Sequence, residues 1–313
     1  MFKNLQVYRL QVPLQISLEQ LEEQLGRNRF APCPSNQPKA RGWFPPRANA
    51  NLPDVPGAYP LVHSVGGQWL INLVMEDKIM PASVVNQEVE ARVAVATTAQ
   101  GYAPGRKQKR EIKERVIEEM LPTAMAKRSA MSAWINPVEG WLVINASSRG
   151  KADTVLEQLR MSLDVFPVRP LHTQISAQSA MADWLASSTA PDGFSMDRDC
   201  ELKSPAEEKA TVRYVRHSLD NENVQAQIRE HLSNGKLPTR LAMTWDDRIS
   251  FVLTETLELK RIALLDILTE QTDKDSKEGM EIFDADFALT TGELRRMLPH
   301  IVAALGGEVT EES

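Results

Sequence analysis

Cysteine is nearly absent from the chain. Its 313 residues hold two, Cys33 and Cys200, far apart and in neither a metal-binding nor a redox spacing, which argues against a disulfide framework. No stretch approaches the roughly eighteen uninterrupted apolar residues that a membrane-spanning helix needs. The opening MFKNLQVYRLQVPLQ mixes polar with apolar residues and lacks a secretory apolar core followed by a small-residue cleavage site. A reduced, cytoplasmic protein is the expectation, with no membrane partner. Catalytic signatures are missing as well. The five histidines, His63, His172, His217, His231 and His300, form no HxH, HExxH or HxxxH spacing. There is no Walker loop, no strand-linked GxGxxG and no GxSxG elbow. No enzymatic activity, no cofactor and no metal are therefore expected.

What is present suits a packed globular protein. Hydrophobic residues make up 42% and charged residues 25%, which is ordinary for folded chains, and the length favours two or three compact units. The formal net charge of −6 argues at first against a nucleic-acid partner, but a polyanion meets local charge. From Asp266 to the C-terminus there are twelve acids against four bases, so the rest of the chain is slightly positive. Between Arg106 and Arg128 eight bases (Arg106, Lys107, Lys109, Arg110, Lys113, Arg115, Lys127, Arg128) face only four acids, Glu111, Glu114, Glu118 and Glu119.

Hydrophobic periodicity sets the elements. LQVYRLQV alternates as a strand, and Ser17 with Gln20 looks like a capping box for a helix carrying Leu18, Leu21 and Leu25. Eight prolines between residues 32 and 60 forbid helix interiors and suggest short edge strands and turns. Tyr59–Ser64 and Gln68–Glu76 read as a hairpin turning at Gly66-Gly67. Ala82–Ala99 is helical through Val85, Val89, Val93 and Ala96. After a break at Gly101, Pro104 and Gly105 a second helix runs from Gln108 to about Leu121, so a protruding helical hairpin is expected. Strands over Ala130–Ala146 and a helix from Lys151 to Leu163 follow. Next come a helix over 176–187, short strands at Cys200–Lys203 and Ala210–Val215, and a helix at Asn221–Asn234. Residues 237–264 read as a hairpin turning at Asp246-Asp247 with one long second arm. Asp284–Leu289 reads as a short strand, and Thr291 as the cap of a final helix to Leu305. Hairpin–helix units recur near 1–25, 130–163 and 238–270, with too little identity to form a repeat. The class is α+β.

Three groups of residues bear on function. On a helix, Lys109 and Lys113, like Arg106 and Arg110, lie four residues apart and stack on related faces. Such a row of charges on a rigid element suits phosphates along a duplex. A solvated helix laced with Glu–Lys pairs fits the same residues. Arg213 and Arg216 form a second basic group, which shares a surface only if its strand ends or bulges between them. Asp284 and Asp286, on one face of the expected strand, could hold Mg²⁺ in a metal-dependent nuclease, but spacing supplies no further ligand. Leu121 and Met125, directly after the basic helix, fit either ordinary core or a self-association contact, and Pro122 stops or kinks the helix there.

Five segments in consistent order, FKNLQVYRL (Phe2–Leu10), GWFPP (Gly42–Pro46), EDKIMPASVVNQ (Glu76–Gln87), KQKREIKERVIEEMLP (Lys107–Pro122) and FDADFALTTGEL (Phe283–Leu294), resemble the RdgC family from end to end. The resemblance implies an α+β protomer of antiparallel sheets with flanking helices, horseshoe-shaped, closing as a homodimer into a ring around duplex DNA. It implies sequence-nonspecific binding to double-stranded DNA, with single strands left open, nucleoid association, and restraint of RecA-promoted strand exchange without catalysis. It implies a central domain from 1–80 and 122–172, a helical tip over 81–121 and a base over 173–313. The DNA contacts it implies are Arg106, Lys107, Lys109, Arg110, Lys113, Arg115, Arg213 and Arg216; Lys127 and Arg128, from the same basic stretch, are expected to join them, and Leu121 and Met125 are expected at the contact between copies. Where family members can carry a base and an aromatic in the tip segment, this chain has Thr123 and Met125. The competing expectations are the nuclease built on Asp284 and Asp286, and a protein-interaction scaffold that inhibits the recombinase directly.

Overall fold

The computed structural model of the chain describes residues 2–11, 14–51, 55, 57–205, 210–219, 221–265 and 279–309. The acids between Asp266 and Glu278, with Glu311 and Glu312, lie outside the described residues. In chain order the elements are β1 (Asn4–Leu10), α1 (Leu18–Gly26), β2 (Lys39–Trp43), β3 (His63–Val65), β4 (Gln68–Lys78), α2 (Ala82–Gln100), α3 (Arg106–Met120), β5 (Ala126–Asn136), β6 (Trp141–Asn145), α4 (Arg149–Ser162), β7 (Val168–Pro170), α5 (Ala177–Ser187), β8 (Phe194–Lys203), β9 (Thr211–Tyr214), α6 (Glu222–Ser233), β10 (Leu237–Trp245), β11 (Ile249–Thr254), β12 (Leu259–Leu264) and α7 (Gly279–Ala304). The class is α+β on antiparallel strands, as the sequence suggests.

The chain forms two compact units. One holds residues 1–18, 63–70 and 132–313, the other residues 19–62 and 71–131. The expected helical tip, 81–121, lies wholly in the second unit and the expected base, 173–313, wholly in the first. The expected central blocks are each divided between the two.

In the first unit the strands follow the order β5-β6-β1-β12-β11-β10-β8-β9. Strand β1 is paired on both edges, with β6 through Leu5↔Asn145 to Arg9↔Trp141, and with β12 at Asn4↔Lys260 and then β7 at Tyr8↔Pro170. Alternation sorts the faces. On β10, Leu241, Met243 and Trp245 point into a core shared with Ile249, Phe251 and Leu253 of β11. Met181 and Leu185 of α5, Ile228 of α6, and Phe287, Leu294, Met297, Leu298 and Ile301 of α7 close that core. Each large apolar side chain buried this way stabilises the fold by about 1.5–3 kcal/mol. The Trp245 indole N–H donates to His300 Nδ1 at 2.9 Å, satisfying the one polar atom the buried ring carries.

Two expectations for this unit are corrected. Residues 248–264 are two antiparallel strands, β11 and β12, instead of one arm. The reversal between them has Leu257 at φ +59° and is closed by the Glu258 N–H donating to the Thr254 hydroxyl oxygen at 3.0 Å. Thr-Glu-Thr-Leu-Glu contains no glycine, proline or asparagine to mark that turn. Residues 284–289 are helical, inside α7. The buried positions Phe287, Leu294, Met297, Leu298, Ile301 and Leu305 follow a helical spacing, and this wins over the local alternation of FDADF. Thr291 sits inside that helix, its hydroxyl donating to the Phe287 carbonyl at 2.8 Å, and caps nothing.

The second unit holds the proline-rich segment, whose described residues form short strand and turns, as expected. Strand β2 pairs with β4 from Lys39↔Asp77 to Trp43↔Leu73, and the chain at 28–30 runs beside it. Phe30 N–H donates to the Trp43 carbonyl at 2.8 Å and Trp43 N–H to the Asn28 carbonyl at 2.9 Å. The Glu22 carboxylate of α1 accepts the backbone N–H groups of Leu61 and Val62 at 2.9 and 2.7 Å, so it pins the far end of the proline-rich run.

That close approach of backbones requires Gly42. A methyl group there would sit 2.5 Å from Phe30 Cα and 2.6 Å from Phe30 N, atoms that cannot swing aside. Gly42→Ala is expected to destabilise the protein by roughly 1–3 kcal/mol or more, measured as a lower urea midpoint. An unchanged midpoint would contradict this packing.

Candidate nucleic-acid interface

Helices α2 and α3 form a hairpin within the second unit. Gly101 ends α2 in the left-handed conformation at φ +80°, its N–H returning to the Thr97 carbonyl. Arg92 joins the two helices, donating to Glu88 at 2.8 Å and to Glu119 of α3 at 2.7 Å. The hydrogen bond from Arg92 holds the Glu119 carboxyl below its usual range, so that acid stays charged and committed to α2. The side chains of Gln100 and Gln108 join the helices nearer the turn. Little of α3 is core, since only Val116 is fully buried. The helix mainly displays charge.

That charge is sorted. With about 100° between successive residues, Lys109, Lys113, Arg106 and Arg110 fall within an arc of about 100°, and Glu111, Glu114 and Glu118 occupy the arc beside it. Lys107 stands among those acids, and Arg115 lies on the far side of them. All six bases are exposed. Arg110 pairs with Glu114 at 2.8 Å in a solvated i,i+4 contact, a kind that holds its guanidinium loosely. Arg106, Lys107, Lys109, Lys113 and Arg115 have no ion pair among the described residues. The Glu–Lys lacing allowed by the sequence is thus confined, among the described residues, to Arg110.

Lys127, on β5, is also exposed. Its neighbour Arg128 has a different setting. Its Nε donates to Glu76 at 2.5 Å, its Nη1 to the Ala50 carbonyl at 3.3 Å, and its guanidinium lies 5.2 Å from the Phe30 ring. Glu76, whose side chain is 6% exposed, also accepts the Cys33 N–H at 2.7 Å. Burial pushes the Glu76 carboxyl up, but Arg128 and the Cys33 N–H outweigh it and hold the group below its ordinary range. At the foot of the hairpin Leu121 is buried at 6% exposure, whereas Met125 is 81% exposed.

In the first unit β9 ends at Tyr214, between Arg213 and Arg216, and Arg216 adopts φ +59°. Arg213 donates to Glu201 at 2.5 Å. The Arg216 backbone N–H donates to Asp199 at 2.8 Å, leaving its side chain exposed. Arg240, Lys260 and Arg261, which no sequence pattern singles out, line one groove with Arg213. Asp284 and Asp286, two apart on α7, point about 200° from each other. Asp284 approaches His63 Nε2 at 2.9 Å, so the shared face expected for a metal pair does not form. Among the described residues no group of three His, Cys, Asp or Glu side chains is placed to hold a metal ion. No helix among them is long and apolar enough to cross a membrane.

The chain matches the family model described as "Putative exonuclease, RdgC" over residues 1–308. It is 54% identical over 310 residues to the recombination-associated protein RdgC of Dechloromonas aromatica, with 99% of each chain covered. The proteins of the same name from Cupriavidus pinatubonensis and from a Janthinobacterium species are 48% and 46% identical, over 98% and 99% of both chains.

The contrast between Arg128 and the exposed bases yields a stability test. Arg128→Ala strands a buried carboxylate and is expected to cost roughly 3 kcal/mol, read from the urea midpoint at pH 7. In the parent, Glu76 contributes stability above the unfolded carboxyl pKa of about 4.3, lost as pH falls through its lower folded value. In the variant the hydrogen bond and charge of Arg128 are gone and burial is opposed mainly by the Cys33 N–H and Lys78, so the folded value rises and the deficit should shrink below about pH 5. A deficit independent of pH would contradict the pairing.

Proposed function

The chain belongs to the RdgC family, and from that premise we propose that it grips double-stranded DNA without reading its sequence. The observation that carries this reading is the basic flank of α3, where Arg106, Lys109 and Lys113 stand exposed without an ion pair among the described residues. Point charges on a rigid helix neutralise phosphates and release counterions whatever the bases. Backbone contacts of this kind position a protein on DNA and carry no sequence information. Lys107, Arg115 and Lys127 add to the local field, and Arg128 supports it from within by holding Glu76.

The working form in this proposal is a homodimer closed into a ring around the duplex, acting in recombination by restraining RecA-promoted strand exchange. The family likeness supports that form. Exposed Met125 offers an apolar contact between copies, while buried Leu121 serves the protomer's own packing. Enclosure raises the effective concentration of each weak phosphate contact, so binding tolerates a net charge of −6. The proposed role requires no bond-breaking step. The exonuclease named in the family description is the alternative, and it would need a metal site other than Asp284 with Asp286.

Lys109→Ala combined with Lys113→Ala should weaken binding to every duplex alike and reduce the salt slope of the binding constant by about two. A slope equal to the parent's would remove α3 from the interface. End-labelled duplex incubated with the protein and Mg²⁺ or Mn²⁺ should keep its length. Progressive shortening from the ends would replace the binding role with the exonuclease.

A further inference from the structure

The sheet of the first unit has a face turned away from its helical core. On β8 the side chains of Asp199 and Glu201 alternate with the core residues Cys200 and Leu202. Asp199 and Glu201 share a groove of about 280 Å³ with Arg213, Arg240, Lys260 and Arg261. Arg213 reaches this face by regular pairing with Glu201, whereas the placement of Arg240, Lys260 and Arg261 has its explanation in the backbone.

Two irregularities put them there. Between the pairs Ser250↔Ala263 and Val252↔Lys260, β11 has one residue and β12 has two, so Arg261 is the extra residue of a bulge. In a regular strand Lys260 and Arg261 would point to opposite faces. The bulge brings both to the groove, with Arg261 at φ +54°, a left-handed conformation that penalises any side chain and favours glycine. Its N–H is held by Asn4 of β1 and the next N–H, of Ile262, by the Lys3 carbonyl. On β10 a second bulge makes Thr239 the extra residue and sets Arg240 opposite Glu201. Backbone strain retained at a charged, exposed position points to use of the side chain.

The groove's charges are unevenly committed. Glu201 is held by Thr239 at 2.7 Å and Arg213 at 2.5 Å. Burial would raise its carboxyl, but these bonds and the nearby Arg240 keep it below the usual range. Lys260 pairs with Glu258 at 2.7 Å. Arg240 and Arg261 are exposed and make no ion pair among the described residues, which leaves two guanidinium forks suited to phosphate oxygens. The groove is half open along the sheet face, so a phosphate whose chain continues on either side can reach it.

We propose that this groove is a second phosphate site, taking backbone phosphodiesters of nucleic acid on Arg240 and Arg261. It rests on the DNA-binding reading above but uses none of the residues of α3. The test follows duplex binding over a salt series for the parent, Arg261→Gly, Arg240→Gln with Arg261→Gly, and Lys109→Ala with Lys113→Ala. Glycine accepts the left-handed position, so Arg261→Gly should melt no lower than the parent while lowering the salt slope by about one. The groove double variant should lower it by about two, and Arg261→Lys should restore most of the binding. A parental slope in the groove double variant, alongside a reduced slope in the α3 variant, would overturn the groove and leave the DNA reading intact. Absence of salt-dependent binding by the parent would overturn the DNA reading itself. Displacement of duplex by inorganic pyrophosphate at matched ionic strength, lost in Arg261→Gly, would overturn the backbone assignment in favour of a free phosphate ligand.

Discussion

Pairing of the N-terminal strand on both edges is the constraint on which the first unit depends. Leu5 of β1 lies opposite Asn145 of β6 on one side and Leu259 of β12 on the other. The sheet is therefore closed by segments separated by most of the chain, a non-local topology whose loop-closure cost precedes its contacts. The same strand fixes the Arg261 bulge through Asn4 and Lys3. Whatever disturbs β1 disturbs the core beneath it and the charged face beside it.

The two basic surfaces follow different physical rules. On α3, charge is displayed by a helix with almost no core of its own, and the arrangement is set by helical periodicity alone. On the sheet, charge is gathered by breaking periodicity, with bulges at Thr239 and Arg261 re-aiming side chains that regular pleating would separate. A net charge of −6 is compatible with both. Glu76, Glu119, Glu201 and Glu258 are committed to partners inside the fold, so they do not screen the exposed bases evenly.

The helices of the hairpin were legible in the sequence to within about two residues, because Val85, Val89, Val93 and Ala96 in the first and Ile112, Val116, Ile117 and Met120 in the second recur at helical spacing and Gly101, Pro104 and Gly105 break the run. The α+β class and the Asp246-Asp247 turn were legible too. The β11–β12 turn was not, because Thr254–Glu258 carries no turn residue and relies on a side-chain hydrogen bond. The start of α7 was not legible, because FDADF satisfies a period of two locally while its helical partners lie a turn or more away. For the interface, α3 could be read from spacing, but the structural duty of Arg128 could not, since Glu76 and Phe30 are distant in sequence. Arg240 and Arg261 were invisible for a related reason. Their common face depends on bulges, and no pattern in LAMTW or ELKRIAL encodes them.

The most direct measurement is fluorescence anisotropy of a labelled random-sequence duplex, titrated with the parent protein across a salt series. The account predicts affinity that falls steeply and log-linearly with salt and does not change when the sequence is scrambled. No binding at low salt, or binding that tracks sequence and ignores salt, would contradict it.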